Sequence, residues 1–264
     1  MTLIPLLLAV ACKTSLFSGA DIRSANITRG TIVNPEPIQC FTGGIEETLG
    51  EPHDRFGENS AGIRVWTCNH LTSSRDHQMK RCFNETDPSA FLRNRFAFAD
   101  GWQLMTESGF TWVLYRPFRH VPETHHEVEW RFKSEFKMPW ITPYFFLRQT
   151  FHPYSLTYWQ TGLKRRFPIA GKFSLTPYTH LDWGDDNLFE FKYGTSHGKI
   201  KDGVSAIDAG LRGDWSISKH LSLWMQADAY AIINKKARSA NDTRGSVTSR
   251  NGIAVFSTGV ELRF

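Results

Sequence analysis

The chain has 264 residues, 41% hydrophobic, 14% aromatic and 22% charged, which is enough to bury a substantial core within the single-domain range of β-barrels. Its net charge of +5 comes from basic residues interleaved with acidic ones rather than from a basic run, which argues against nucleic-acid binding. The mean hydropathy is −0.36 and no stretch beyond the N-terminus reaches the roughly 18 to 20 apolar residues of a spanning helix, so a helical membrane protein is excluded. Yet 9 Trp, 7 Tyr and 20 Phe are many for so polar a chain, and a barrel with a polar lumen and an aromatic-girdled exterior combines the two.

The apolar run Leu3 to Ala11 is too short to span, and Ser18-Gly19-Ala20 places small residues before Asp21 as at a signal-peptidase site. Residues 1–20 therefore read as a signal peptide and residues 21–264 as a single barrel domain. Met1-Thr2 lacks the usual Lys or Arg, and Ala9-Val10-Ala11-Cys12 resembles a lipoprotein cleavage site, which would lipidate Cys12. Without Cys12, Cys40, Cys68 and Cys82 remain, an odd number for an oxidising compartment. Cys68 and Cys82 bracket a polar loop and are expected to close it as a disulfide. No CxxC or His/Cys metal spacing occurs, so neither metal nor cofactor is expected.

Residues 21–60 are polar and turn-rich, with one strand expected around Ile38 to Ile45. Residues 71–93 read as a long polar loop. From Phe96 onward, runs of about ten residues alternate with period two between short turn signals. Val128, Trp130, Phe132 and Phe136 oppose Glu127, Glu129, Arg131, Lys133 and Glu135, a segregation that a helix cannot make. Phe173, Leu175, Leu181 and Trp183 oppose Ser174, Tyr178, His180 and Asp182; Ile207, Leu211 and Trp215 oppose Asp208, Arg212 and Asp214; Leu221, Leu223 and Met225 oppose Ser222, Gln226 and Asp228. Pro143 and Pro177, in a weak Thr-Pro-Tyr repeat, fall on the apolar parity and are expected early in a strand or at a bulge.

The chain ends Ser257-Thr258-Gly259-Val260-Glu261-Leu262-Arg263-Phe264. With Ser257, Gly259, Leu262 and the terminal aromatic Phe264, this resembles the C-terminal insertion signal of bacterial outer-membrane β-barrel proteins, a porin-like class. The resemblance covers residues 96–264. It implies an all-β, antiparallel up-and-down transmembrane barrel in the outer membrane, whose last strand is read by the barrel assembly machinery and pairs with the first. Even strand numbers in such barrels make 12 strands the expectation and 10 the next. Lipid and lipopolysaccharide are the implied surroundings.

Among residues that suggest chemistry, His180 with Asp182 and Ser196 with His197 lack a third member at a readable spacing. His125 and His126 read as loop residues. Asp182, Asp185, Asp186 and Asn187 form an acidic turn without the spacing of a calcium loop, and read as solvated. The lumen is expected to present Glu127, Glu129, Arg131, Lys133, Glu135, Arg148, Lys164, Arg166, Asp182, Glu190, Lys192, Asp208, Arg212, Asp214, Asp228, Glu261 and Arg263. Charges of both signs either pair across a narrow barrel and plug it or line a water channel. With about 12 strands the favoured reading is a small porin-like channel for passive passage of small polar solutes. A structural or adhesive barrel and an outer-membrane lipid-modifying or hydrolytic enzyme are the alternatives.

Overall fold

Alternation at period two leaves each segment one greasy and one polar face, and such segments are satisfied only when polar faces turn toward one another and backbones pair. The computed structural model describes residues 13–28, 31–34, 37–49, 57–70, 84–116, 125–193, 200–243 and 251–264. The strands are β1 (Lys13–Arg23), β2 (Asn26–Thr28), β3 (Thr31–Asn34), β4 (Ile38–Thr48), β5 (Glu58–His70), β6 (Asn84–Ala99), β7 (Trp102–Arg116), β8 (His125–Lys137), β9 (Thr142–His152), β10 (Leu156–Lys164), β11 (Phe167–Ala170), β12 (Phe173–Gly184), β13 (Gly203–Ser216), β14 (Leu221–Ile232) and β15 (Gly252–Arg263). Two helices, α1 (Asp186–Tyr193) and α2 (Lys235–Thr243), lie in connections.

Antiparallel pairing runs β1-β4-β5-β6-β7-β8-β9-β10-β12-β13-β14-β15 and returns to β1, closing a twelve-stranded barrel. The last residue completes the seam: Phe264 and Leu16 exchange backbone hydrogen bonds of 2.8 and 3.0 Å. β11 continues β10, since Phe167↔Leu175 keeps the register of Lys164↔Tyr178. The gap between them faces Pro177. Arg165 N donates to Pro177 O at 3.1 Å, and the imide nitrogen has no proton to return the bond. Pro143 is the second residue of β9, where a strand tolerates it.

The strand number agrees with expectation, but the tally differs. Nine barrel strands lie from β6 onward and three precede it; of these, β4 lies where a strand was expected, and β1 falls mostly within the residues read as a signal peptide. Residues 84–93, read as loop, belong to β6, whose inward side carries Glu85, Asp87, Ser89 and Arg93. The expected cleavage after Ala20 also falls inside a strand. Lys13–Ala20 pair with β4, and from Phe17 on with β15 too, so a barrel starting at Asp21 would keep only Asp21–Arg23 of its closing strand.

One end of the barrel has short connections, such as Asp100–Gly101 and Gly171–Lys172, and the other carries α1, α2 and the β2–β3 hairpin. Outward residues include Leu16, Ile63, Leu92, Trp112, Leu211, Trp215, Met225 and Phe256, all exposed. Aromatic rings gather toward both rims: Phe98, Trp102, Phe136 and Trp140 at the short-turn end, and the stacked Trp159–Trp183 pair toward the other. This is the belt-and-girdle exterior of a membrane barrel.

Inside, large rings lie flat against the wall because a neighbouring strand supplies glycine. A Cβ on Gly44, Gly62, Gly162, Gly210 or Gly259 would lie 2.5 to 2.7 Å from a ring carbon of Phe17, Phe91, Tyr144, Tyr178 or Trp224 respectively. Gly210→Val should therefore cost about 1–3 kcal/mol by overpacking, and Tyr178→Ala in the same chain should recover part of it, as a double-mutant cycle in urea would report. On the outside, Leu211→Arg should cost about 2–4 kcal/mol near the bilayer midplane, seen as loss of the heat-modifiable band on gels, whereas Arg212→Gln should assemble.

Candidate functional site: the charged lumen

On β5 to β9 the inward residues form a network centred on arginines. Arg93 of β6 binds Glu46 of β4 at 2.6 Å and Glu107 of β7 at 2.6 Å, and Arg64 of β5 reaches Glu107 at 3.0 Å. Both guanidinium groups lie over the Phe91 ring, 5.0 and 5.1 Å from its centroid, which shields one face of each from water. Arg263 of β15 adds a contact to Glu46 at 3.0 Å. A second group joins Arg131 to Asp87 at 2.9 Å and to the fully buried Glu129 at 2.7 Å, with Arg148 3.7 Å from Glu129. Glu135 takes Lys133 and Lys164 at 2.8 and 2.7 Å. Each of these pairs joins residues of one strand or of strands no more than two apart, so they brace the wall rather than cross the lumen.

The opposite wall is held by neutral donors. Tyr158 Oη and Gln160 Nε2 donate to Asp182 Oδ1 at 2.6 and 2.9 Å. His180 lies between Tyr144 Oη (3.0 Å from Nδ1) and Gln160 Nε2 (2.9 Å from Nε2), with Asp208 at 3.7 Å. Because Gln160 donates to Nε2, a neutral imidazole carries its proton on Nδ1, toward Tyr144. Asp228 accepts from Gln226 at 3.0 Å. Arg212 pairs with Asp214 and Glu261 at 2.8 and 3.0 Å.

Three cavities of about 500 Å³ each follow the lumen. The cavity along β5–β9 is lined by six cations (Arg23, Arg64, Arg93, Arg131, Lys133, Arg148) and three anions (Glu85, Asp87, Glu107). The one along β12–β15 is lined by five anions (Asp21, Asp182, Asp208, Asp228, Glu261) and three cations (Arg23, Arg148, Arg212). They meet at Arg23, Ile27, Phe146 and Arg148, and both adjoin the third, at the short-turn end, through Arg64, Arg93, Asp21 and Glu261. Toward the long-connection end, Phe189 of α1 and Ala237 of α2 pack with Ile200, Tyr230 and Ile232, with Ile27 of β2 against them, so part of that mouth is walled by apolar packing.

Of the expected lumen residues, Glu127, Glu129, Arg131, Lys133, Glu135, Arg148, Lys164, Asp182, Asp208, Arg212, Asp214, Asp228, Glu261 and Arg263 occupy the inward parity of their strands, and Arg166, beside β11, donates to Ser174 at 2.9 Å. Glu190 and Lys192 do not: they belong to α1, not to a strand. The acidic turn explains why. Asp185 accepts from Leu188 N at 2.7 Å, capping the helix, and from Thr157 N at 2.7 Å, so both its oxygens serve backbone donors rather than an ion. No cluster suited to a metal occurs among the described residues.

Ser257 and Gly259 face inward, Leu262 and Phe264 outward, and Phe264 stacks on His220 at 5.1 Å. His126 stacks on His152 at 4.9 Å; Ser196, His197, Cys12 and Cys82 lie outside the described residues. Sequence reading missed Arg23, Glu46, Arg64, Asp87, Arg93 and Glu107. The signal was present in Asp87, Ser89, Phe91, Arg93 and Arg95, which alternate as cleanly as later runs once Pro88 is allowed on the outside. Arg93→Ala leaves two carboxylates without their shared partner and should lower stability by about 2–3 kcal/mol; urea unfolding in detergent measures it, with Arg93→Lys intermediate.

No family model matches the sequence, and no curated protein matches it. Among solved structures the chain is similar to an outer membrane channel from Pseudomonas putida F1 at 10% identity, over 95% of this chain and 95% of that one, with a TM-score of 0.52. It is also similar to the NanC porin (10% identity, 94% and 98% covered, TM-score 0.48) and to outer membrane phospholipase A from Escherichia coli (13% identity, 94% and 92% covered, TM-score 0.45). The likeness to the Pseudomonas putida channel is one of fold, a closed β-barrel of the bacterial outer membrane, and that membrane is where the apolar belt of this chain resides.

Proposed function

We propose that the protein is a small porin-like channel for passive passage of small polar solutes. The observation that carries this reading is the lumen: adjoining cavities lined by charged side chains whose ion pairs run along the wall instead of across it. Excess cations on β5–β9 face excess anions on β12–β15, so a solute passing the meeting point at Arg23 and Arg148 crosses a transverse field, which favours polar over apolar solutes. The packed α1, α2 and β2 segments narrow the outer mouth and set a size limit. The inward and outward parities of β15 suit recognition of this strand by the barrel assembly machinery, with lipid and lipopolysaccharide against the apolar belt.

A hydrolytic or lipid-modifying role gains little support from His180. Its described partners are a phenol, an amide and two carboxylates, which hold an imidazole in place without a serine, threonine or cysteine nucleophile. Any leader is removed before Lys13 on this reading, so that β1 stays in the mature barrel.

Planar-bilayer recording of the refolded protein tests the channel: discrete conductance steps are expected, and a folded, silent barrel would return the reading to a structural or adhesive role. Arg131→Glu should raise the preference for cations over anions and Asp208→Asn should lower it, both more strongly at low salt, where screening is weaker.

A further inference from the structure

Cys40 of β4 and Cys68 of β5 stand directly opposite each other in the ladder. Both are buried free thiols, 0% and 1% exposed, and they lie within hydrogen-bonding reach of each other. Ile38 completes their small cluster and Trp66 packs against it.

The kind of ladder site follows from parity. Leu49 N donates to Asn59 O at 2.7 Å in the same register, so that pair is a hydrogen-bonded one. The two kinds alternate along an antiparallel ladder, and Cys40 lies an odd number of residues from Leu49 with no bulge between. Cys40 and Cys68 are therefore a non-hydrogen-bonded pair, the kind whose Cα atoms approach to about 4.5 Å with side chains closest. A disulfide spans Cα separations of roughly 4.4–6.8 Å, so the backbone accepts the bond where it stands.

We infer that Cys40 and Cys68 are joined by a disulfide in the mature protein. A chain bound for the outer membrane passes through an oxidising periplasm. One cysteine thiolate attacks a protein disulfide of the oxidising machinery, displacing one of its thiols. The second thiolate attacks the mixed disulfide and displaces the other thiol, so both cysteine protons leave, one S–S bond forms and the oxidant is reduced to its dithiol. The exchange precedes strand pairing, because the assembled barrel buries both sulfurs. The same burial then keeps soluble reductants away. The bond fastens β4 to β5 at the long-connection end, where the chain enters and leaves residues 71–83. It replaces the expected Cys68–Cys82 pairing and leaves Cys82 for another fate.

The test alkylates free thiols in intact cells, isolates the outer-membrane protein without reductant, and maps tryptic peptides. Cys40 lies in residues 30–55, Cys68 in 65–75 and Cys82 in 82–93, so the three are separable. A linked 30–55/65–75 pair that vanishes on reduction is expected. Alkylated Cys40 and Cys68, or a 65–75/82–93 pair, would overturn the inference. In a Cys12→Ser/Cys82→Ser variant unfolded in urea, a maleimide-polymer tag should shift the band only after reduction; a shift without reductant would likewise sink it. With the barrel folded, dithiothreitol should leave the link intact.

Discussion

In hydrocarbon an unpaired backbone N–H or C=O has no water to fall back on, so a sheet that enters a membrane must leave no edge. Everything else in this molecule is arranged around meeting that condition at the β1–β15 seam. The condition explains why Phe264 exchanges two backbone bonds with Leu16, and why Phe17–Arg23 pair on both sides. It also explains where irregularity is allowed. Pro177 opens the ladder only beside the β10–β11 break, near the short-turn rim, where the freed carbonyl of Arg165 can meet water.

Closure at twelve strands creates the second constraint, an interior too wide for side chains to fill and too narrow for them to ignore each other. The chain meets it by flattening. Glycines on adjacent strands let Phe17, Phe91, Tyr144, Tyr178 and Trp224 lie on the wall, and arginines then stack on the rings, Arg64 and Arg93 on Phe91 and Arg212 on Trp224 at 4.5 Å. A guanidinium held in this way reaches sideways along the wall, which is why its carboxylate partners sit on its own strand or one or two strands off and not across the barrel. The glycine pattern and the wall-hugging charge network are thus one device.

Much of the wall was legible because its chemistry repeats at period two. In β8, Glu-x-Glu-x-Arg-x-Lys-x-Glu against Val, Trp, Phe and Phe admits one structure. Legibility failed where one parity was filled by residues that carry no hydropathy signal. Gly44 and Gly62 make room for rings on the adjacent strands, Phe17 and Phe91, a reason that exists only in three dimensions, so the alternation of β4 and β5 was weak. In β6, Pro88 imitated a loop. Glu190 and Lys192 failed for a different reason: a short helix of two turns can mimic alternation, and the cap that sets it, Asp185, looked like part of an acidic turn. The opposition of Cys40 and Cys68 depends on the β4–β5 register, which no local pattern discloses.

The segregation of charge between the two walls bears on whether the lumen is wet. On β5–β9 each named arginine has carboxylates at ion-pair distance, so that half could be tolerated in a fairly dry interior. Asp182 and Asp228 are held instead by Tyr158, Gln160 and Gln226, neutral donors that relieve an anion only in part, and Asp208 has the His180 ring at 3.7 Å. Retaining three such carboxylates on neighbouring strands in a dry core would cost several kcal/mol per ion, more than these donors return. Water in the adjoining cavity removes most of that penalty by solvation, and it also screens the carboxylates from one another. The acidic wall keeps its charge beside solvent; in a dry core these carboxyls would take up protons instead.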